Sequence, residues 1–167
     1  SIIKNLRGNV NTRMSKLDES NWHGAIFAAA GLERIGLRPV HSIDLDWMLP
    51  APAQGAVMVV CRDSDTTLQQ YCTAFDDKHT AICTKIEKDF LKALLGGCSV
   101  PISALAEIKN DMIYFRGNIF SPDGTRYVET EKTCSIDMAE NIGITAAKEI
   151  IEKGGASILE EIRNGAK

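Results

Sequence analysis

The sequence predicts a chain of two unlike parts, a partial parallel α/β domain followed by a small α+β domain. Over residues 1 to about 45, strand-like and helix-like runs alternate, which is typical of parallel strands joined by helices. From Pro101 onward, three strand-like runs follow one another with only short turns between them, and helices come after. That order is typical of a three-stranded antiparallel sheet packed by helices, which we expect within residues 76–167. Residues 51–75 would connect the two parts.

The first strand–helix pair of the α/β part lies at the start of the chain. The run "SIIKNLRG" (1–8) indicates a short strand. Apolar residues at helical spacing over residues 10–17 predict a helix after it, with Asn9 or Asn11 as its N-cap.

A second strand–helix pair follows. The continuous apolar run "GAIFAAAG" (24–31) is typical of a buried parallel strand, and "LERIGL" (32–37) predicts a short helix. Two strands and two helices are too few to complete such a sheet. We therefore expect this domain to be incomplete in the chain, with the missing part upstream.

A connector separates the two parts. The run "MLPAPAQG" (48–55) is rich in Pro, Ala and Gly, which is typical of a loop, and "AVMVVCR" (56–62) indicates a further apolar strand. Residues 66–95 are predicted to be helical, with a break near Asp76-Asp77.

From Pro101 onward, the α+β part has three predicted strands followed by two predicted helices. The strands are "PISALAEI" (101–108), "MIYFRGNIF" (112–120) and "TRYVETEKTC" (125–134), separated by the turns "KND" and "SPDG". A helix then runs to the stop signal Gly154-Gly155, and a last short helix ends the chain.

The composition is that of a water-soluble globular protein. Hydrophobic residues make up 44% of the chain, charged residues 25%, and the net charge is −3. The slight acidity and the few aromatic residues argue against nucleic-acid binding, and no apolar run reaches the roughly 18 residues that span a bilayer. The five cysteines are odd in number and contain no CxxC pair, so free thiols in a reducing cytoplasm are expected rather than disulfides or a zinc site.

Three arginines occupy related positions in the predicted α/β part. Arg7 ends the first predicted strand, Arg13 lies in the first turn of the next helix, and Arg34 follows the second strand. Ligands of open α/β sheets bind at the carboxyl ends of the strands, beside helix N-termini that favour anions. Because guanidinium groups grip oxyanions in bidentate fashion, the pattern indicates a carboxylate or phosphate site. Solvated helix residues are an equally good interpretation of Arg13 and Arg34.

The stretch "LKALLGGCSVPIS" (91–103) places Cys98 after two glycines that end a helix and before Pro101. One interpretation is a small residue that fills a gap. The other is a thiol displayed on a loop as an attachment point.

Four motifs resemble one known family. The segments "LRGNVNTRMSKLD" (6–18), "AAAGLERIGL" (28–37), "LPAPAQGAV" (49–57) and "LLGGCSVPI" (94–102) are similar in order and spacing to porphobilinogen deaminase, also called hydroxymethylbilane synthase. The resemblance runs through essentially the whole chain.

The resemblance implies a three-domain parent. Family members have two α/β domains like those of periplasmic binding proteins, facing each other across a cleft, and a small α+β domain that carries the cofactor. Residues 1–50 would then be the back half of domain two, residues 51–75 a return segment of domain one, and residues 76–167 the C-terminal domain.

The resemblance also implies an activity. Family members join four porphobilinogen molecules head to tail into hydroxymethylbilane, releasing ammonia, in the tetrapyrrole pathway that leads to heme. The growing chain starts from a dipyrromethane cofactor held by a thioether, a role that falls on Cys98; thiols are strong nucleophiles and suit such an attachment. Arg7, Arg13 and Arg34 would bind carboxylates of cofactor and substrate, and Gln54-Gly55 would contact substrate. The parent would be a monomeric cytoplasmic transferase.

Some family features differ or are absent. Pro52-Ala53 stands where the family has Val-Gly, and Lys88 follows Glu87 where an arginine is common, so a bidentate grip would be lost there. The family's catalytic aspartate belongs to domain one and has no counterpart in these residues. We therefore expect the chain alone to be inactive, and its unpaired sheet edge to favour self-association.

A different class of protein fits the same residues. In this alternative, the chain is a non-catalytic module in which Arg7 and Arg13 bind a small anion and Cys98 is structural. A covalently modified Cys98 would favour the enzyme, and an unmodified buried thiol would favour the module.

Overall fold

The computed structural model describes residues 2–94 and 100–165. Contacts divide the chain into two compact units, an N-terminal unit that ends at Asp46 and a C-terminal unit that begins at Trp47. The three-domain division implied by the resemblance, with a boundary near residue 75, stays a prediction.

The N-terminal unit contains two helices, α1 (Val10–Asp18) and α2 (Ala29–Arg34). Of the two predicted candidates, Asn9 and not Asn11 caps α1, because the Asn9 side-chain oxygen accepts a hydrogen bond from the Thr12 N–H at 2.9 Å. Helix α2 is terminated by Gly36, two residues after its last residue, because the φ of 67° at Gly36 lets the Leu37 N–H reach back to the Leu32 carbonyl at 2.9 Å.

The strands predicted near residues 1–8, 24–31 and 56–62 are not formed. No β-strand occurs between residues 2 and 94, and α2 takes up the end of the second predicted strand. Ile26 is 67% exposed, and the side chains of residues 57–60 are between 61% and 87% exposed. A parallel strand needs a neighbour for its backbone hydrogen bonds, and the described residues offer none here. The parallel α/β layer is therefore not confirmed.

The C-terminal unit is built on a three-stranded antiparallel sheet, as predicted. Its strands β1 (Ile102–Lys109), β2 (Met112–Phe120) and β3 (Tyr127–Ser135) pair in the order β1-β2-β3. Asn110 and Asp111 form the two-residue turn between β1 and β2 with φ values of 50° and 59°, the left-handed backbone that such hairpins require.

Two helices precede the sheet. Helix α3 (Thr66–Cys72) continues into a short 3₁₀ turn, and α4 (Lys78–Ala93) starts after it. Asp77 caps α4 by accepting the Thr80 N–H at 2.7 Å, so the predicted break at this aspartate is confirmed.

Two further helices follow β3. A 3₁₀ segment leads into α5 (Ile142–Ile150), and α6 (Ala156–Gly165) comes after a kink. Gly154 makes the kink with a φ of 107°, which confirms the predicted stop signal.

The core of the C-terminal unit is formed by one face of the sheet and by helices α4, α5 and α6. The rings of Phe90 and Phe115 meet edge to face with centroids 5.2 Å apart. The largest fully buried side chains are Phe90, Phe115, Leu94, Ile113, Ile119, Ile150 and Ile158. Across the described ranges, no helix has the length and apolar character needed to cross a membrane.

Candidate functional site

Arg13 is the most constrained of the three predicted anion-binding arginines. Its guanidinium lies over the ring of Phe27, 4.6 Å from the ring centroid, and its Nη2 donates to the Ile26 carbonyl at 3.0 Å. Its Nε is inaccessible to solvent and has no hydrogen-bond acceptor among the described residues. Residues 26 and 27, in the stretch predicted as a strand, therefore pack against the Arg13 side chain and hold it in place.

Arg7 and Arg34 are exposed, and their positions are less alike than the sequence indicated. Arg7 precedes α1, and its carbonyl accepts a hydrogen bond from Lys16 Nζ at 2.9 Å. Arg34 is the last residue of α2, so it lies at the helix end that disfavours anions. Within the described part of the chain, no hydrogen bond or ion pair joins Arg7, Arg13 and Arg34 to one another or to a carboxylate.

Arg38 differs from these arginines, because its charge is paired with carboxylates of the same unit. Its guanidinium forms ion pairs with Glu33 and Asp44 and donates to Ser42 Oγ at 3.2 Å. The hydrogen bond to Glu33, and then that to Asp44, raises the pKa of Arg38 above its ordinary value. Arg38 is thus a structural cation, whereas the side chains of Arg7 and Arg34 have their charges open to a ligand.

The connector forms a tight turn at residues 52–55. Gln54 Oε1 accepts the Ala51 N–H at 3.0 Å, and the side chain is otherwise exposed. Ala53 and Gly55 have φ values of 59° and 86°. The turn therefore places Gln54 and Gly55 at the surface of the C-terminal unit.

Glu87 is a buried carboxylate that ties this turn to the sheet. It is only 5% exposed, and it accepts the Ala53 N–H at 2.6 Å and the Ala106 N–H at 2.8 Å. From the sequence, Glu87 was noted only as the neighbour of Lys88, which is exposed. The sequence nevertheless contained a signal for the burial of Glu87, because this residue lies at helical spacing with Cys83, Ile86 and Phe90 on the apolar face of α4.

A cleft of about 390 Å³ lies between the connector turn, the first half of α4 and β1. Its polar and ionisable lining includes Gln54, His79, Thr80, Cys83, Glu87 and Glu107. Burial, followed by the charge of Glu87, raises the pKa of the Cys83 thiol, so this cysteine is a poor nucleophile at neutral pH. No group of three metal-binding side chains occurs in residues 2–94 and 100–165.

Cys98 lies outside the described residues. Helix α4 before it ends at Ala93, and β1 after it begins at Ile102. Cys98 therefore belongs to the connection between the helix and the strand, and its role as an attachment point stays a prediction, as do the roles of the arginines and of Gln54-Gly55.

Two family models match the chain in succession. Residues 1–70 match "Porphobilinogen deaminase, dipyromethane cofactor binding domain", and residues 81–152 match "Porphobilinogen deaminase, C-terminal domain". The first match includes Arg7, Arg13 and Arg34, and the second includes Cys98.

A curated relative agrees with both models. The porphobilinogen deaminase of Listeria monocytogenes serotype 4a (strain HCC23) is 36% identical over 168 residues, an alignment that covers 98% of this chain and 54% of the relative. The chain thus spans about half the length of this relative. By both domain matches and by this relative, the chain belongs to the porphobilinogen deaminase family.

Proposed function

We propose that this chain supplies the C-terminal portion of an enzyme that joins four porphobilinogen units head to tail into hydroxymethylbilane and releases ammonia. The observation that carries the proposal is the succession of two porphobilinogen deaminase domain matches along one chain. A full enzyme of this kind would be a monomeric transferase of tetrapyrrole biosynthesis in the cytoplasm.

Cys98 would hold the dipyrromethane cofactor through a thioether. It lies in the connection between α4 and β1, within the stretch that matches the C-terminal domain. When bound, this group supplies the pyrrole end to which substrate units are added. Cys83 is a poor competitor for the attachment, because burial raises its pKa.

The donor set of the N-terminal unit fits such a group. Each pyrrole unit carries an acetate and a propionate, so the bound chain brings many carboxylates that need cationic partners. Arg7 and Arg34 are exposed cations, and Arg13 is held in place by Phe27 and Ile26, which lowers the entropy cost of gripping a carboxylate. Gln54 and Gly55 would contact substrate from the connector turn.

The apolar runs of residues 2–8, 24–31 and 56–62 would be strands of parallel sheets in the whole enzyme. Their exposed side chains and open backbone groups support this, because such runs are stable when buried between neighbours. We place residues 1–50 in domain two, residues 51–75 in domain one and residues 76–167 in the cofactor-carrying domain.

The isolated chain would be inactive, because the acid–base aspartate of the family lies in domain one. Hydroxymethylbilane formation from porphobilinogen, followed by the absorbance of the uroporphyrin it yields on oxidation, should remain at the level of a blank. Turnover by the 167-residue chain would contradict this.

Intact mass spectrometry tests the proposal directly. The chain extended by its upstream coding sequence is incubated with porphobilinogen beside its Cys98→Ala variant. We expect a mass increase of two linked pyrrole units that the variant lacks.

The Cys83→Ala variant is the matched control, since it removes a different thiol and should keep the increment. An unmodified mass in the extended chain would overturn the proposal and favour the small-anion-binding module with a structural cysteine. An increment that survives in Cys98→Ala would refute the role of Cys98.

A further inference from the structure

Glu87 connects two segments that are far apart in the sequence. Its Oε2 accepts the N–H of Ala53 in the connector turn, at 2.6 Å, and its Oε1 accepts the N–H of Ala106 in β1, at 2.8 Å. Each carboxylate oxygen thus serves a different segment. The proposed chemistry makes no use of this side chain.

The cost of burying Glu87 indicates that the arrangement is specific. A carboxylate that is 5% exposed is expensive unless hydrogen bonds replace its water. The bond to Ala53 also compensates a second cost, because a φ of 59° is uncommon for a residue with a side chain. Helix, turn and strand are therefore joined through a single side chain.

The outer edge of β1 is the part of the sheet to which the connector is attached. The strand is at the edge of the sheet, and its outward N–H groups need acceptors other than β2. The Pro50 carbonyl accepts the Ala104 N–H at 3.0 Å, and Glu87 accepts the next outward N–H, that of Ala106. The connector is thus fixed to this edge directly at Pro50 and through Glu87 at Ala53.

We propose that Glu87 is a positioning residue that holds Gln54 and Gly55 in a fixed place relative to α4 and β1. The functional half of this inference rests on the proposed function, which gives Gln54 and Gly55 their contact with substrate. The carboxylate acts through the Ala53 N–H, one residue before Gln54, and does not itself touch substrate.

Amide hydrogen exchange of the isotope-labelled chain tests the inference. In Glu87→Gln, one acceptor oxygen is replaced by an NH₂ group that cannot accept, so only one of the two N–H groups keeps its partner. We expect the Ala53 amide to exchange about tenfold faster, since a loop amide is released more easily than a strand amide. The Gln54 and Gly55 amide signals should shift, while exchange at Ile113 and Phe115 in the central strand stays unchanged.

The matched control is Glu107→Gln, which removes a carboxylate that lines the same cleft. It should leave the Ala53 exchange rate and the Gln54 and Gly55 signals as they are. The inference is overturned if Glu87→Gln does not change exchange at Ala53, or if exchange at Ile113 and Phe115 rises by the same factor, which would make Glu87 a general stabiliser only.

A measurement on the unaltered chain covers the case in which Glu87→Gln fails to fold. Scalar couplings across hydrogen bonds should connect the amide nitrogens of Ala53 and Ala106 to the one side-chain carboxyl carbon of Glu87. Absence of the Ala53 coupling would overturn the inference. None of these experiments uses porphobilinogen, so their failure is distinguishable from a failure of Cys98 to gain mass.

Discussion

Glu149 on α5 has two cationic partners, whereas each other ion-paired carboxylate in the described part of the chain has one. Its oxygens pair with Lys132 on β3 and with Lys153, the latter at 2.6 Å. The hydrogen bond from Lys132 is the main cause that lowers the pKa of Glu149 to about 2. Such a group stabilises the fold while it is charged and loses that effect as acid protonates it.

We expect Glu149→Gln to lower stability at neutral pH by an amount that shrinks in acid. The folded pKa is depressed, so the contribution is fully present above the ordinary value of 4.5 and is lost as the pH falls through about 2. Urea unfolding of the natural chain and the variant between pH 7 and pH 2 would show their free energies of unfolding converging. Glu160→Gln, at an exposed site on α6, is the control and should change the free energy of unfolding at pH 7 by no more than about 0.5 kcal/mol. A constant difference between the natural chain and Glu149→Gln would contradict the prediction.

Cys83 should react with alkylating reagents only at high pH. Burial is the largest cause of its raised pKa. The pH at which its alkylation rate is half-maximal should therefore lie above 9.0, the ordinary pKa of a cysteine thiol. Peptide mass spectrometry after timed exposure to iodoacetamide follows this thiol separately from the exposed Cys61. In concentrated urea, where burial is lost, the midpoint for Cys83 should return towards the ordinary value. A midpoint at or below pH 9.0 in the folded chain would refute the prediction.

Among the elements, those with local signals were predictable from the sequence. The hairpin turn at Asn110-Asp111, the cap at Asp77 and the stop at Gly154 act through residues within a few positions, so the C-terminal unit follows its sequence closely. The runs of residues 24–31 and 56–62 have an apolar pattern, which indicates that they are stable when buried. The pattern does not supply the neighbouring strand, so the predicted strands are not formed among the described residues of this chain.

The candidate site, too, was predictable from the sequence only in part. Residue type and position indicated Arg13 as a candidate anion-binding cation, but the contacts with Phe27 and Ile26 that hold its side chain depend on how the backbone turns. The role of Glu87 was missed because its two partners, Ala53 and Ala106, are backbone groups of distant segments. Backbone hydrogen bonds of that kind leave no residue-type signature in either segment.

The crossing of α4 and α5 depends on Gly143. A Cβ at this position would lie 2.2 Å from the Ile86 carbonyl oxygen and 3.0 Å from the Phe90 nitrogen, and these backbone atoms cannot rotate away. We expect Gly143→Ala to destabilise the C-terminal unit by about 1–3 kcal/mol, the usual cost of overpacking, despite the better helix propensity of alanine. Thermal and urea unfolding measure the change.

Thr145→Ala on the exposed side of the same helix is the control. It should change stability by no more than about 0.5 kcal/mol, because it makes no core contact. A Gly143→Ala variant as stable as the natural chain would mean that the two helices separate without cost, contrary to this packing.

At the scale of the whole molecule, the two units differ in how much they bury. Of the residues described up to Asp46, Leu32 is the one buried hydrophobic residue, whereas the core of the C-terminal unit spans the sheet and three helices. Large apolar side chains stay exposed at Ile2, Ile3, Val40 and Ile43 and along residues 57–60. Surfaces of this kind favour association.

We expect the chain to self-associate, with a sedimentation coefficient that rises with concentration. Replacing Val57 and Val59 by lysine places charges on the exposed apolar run and should reduce the association. Thr67→Lys adds a charge at an exposed polar position and should have a smaller effect. Sedimentation velocity distinguishes these cases, and a concentration-independent monomer of the natural chain would contradict the prediction.

The attachment of the connector to β1 decides where the chain can be cut. A C-terminal piece that starts at residue 76 would keep all three strands but lose Pro50 and Ala53, so the Ala104 N–H would lose its acceptor and Glu87 one of its two donors. A piece that starts at Trp47 keeps both bonds, as the division into compact units also indicates. We therefore expect the shortest piece that folds independently to be longer than the sheet and its packed helices, and to include residues 47–55, which form no helix or strand themselves.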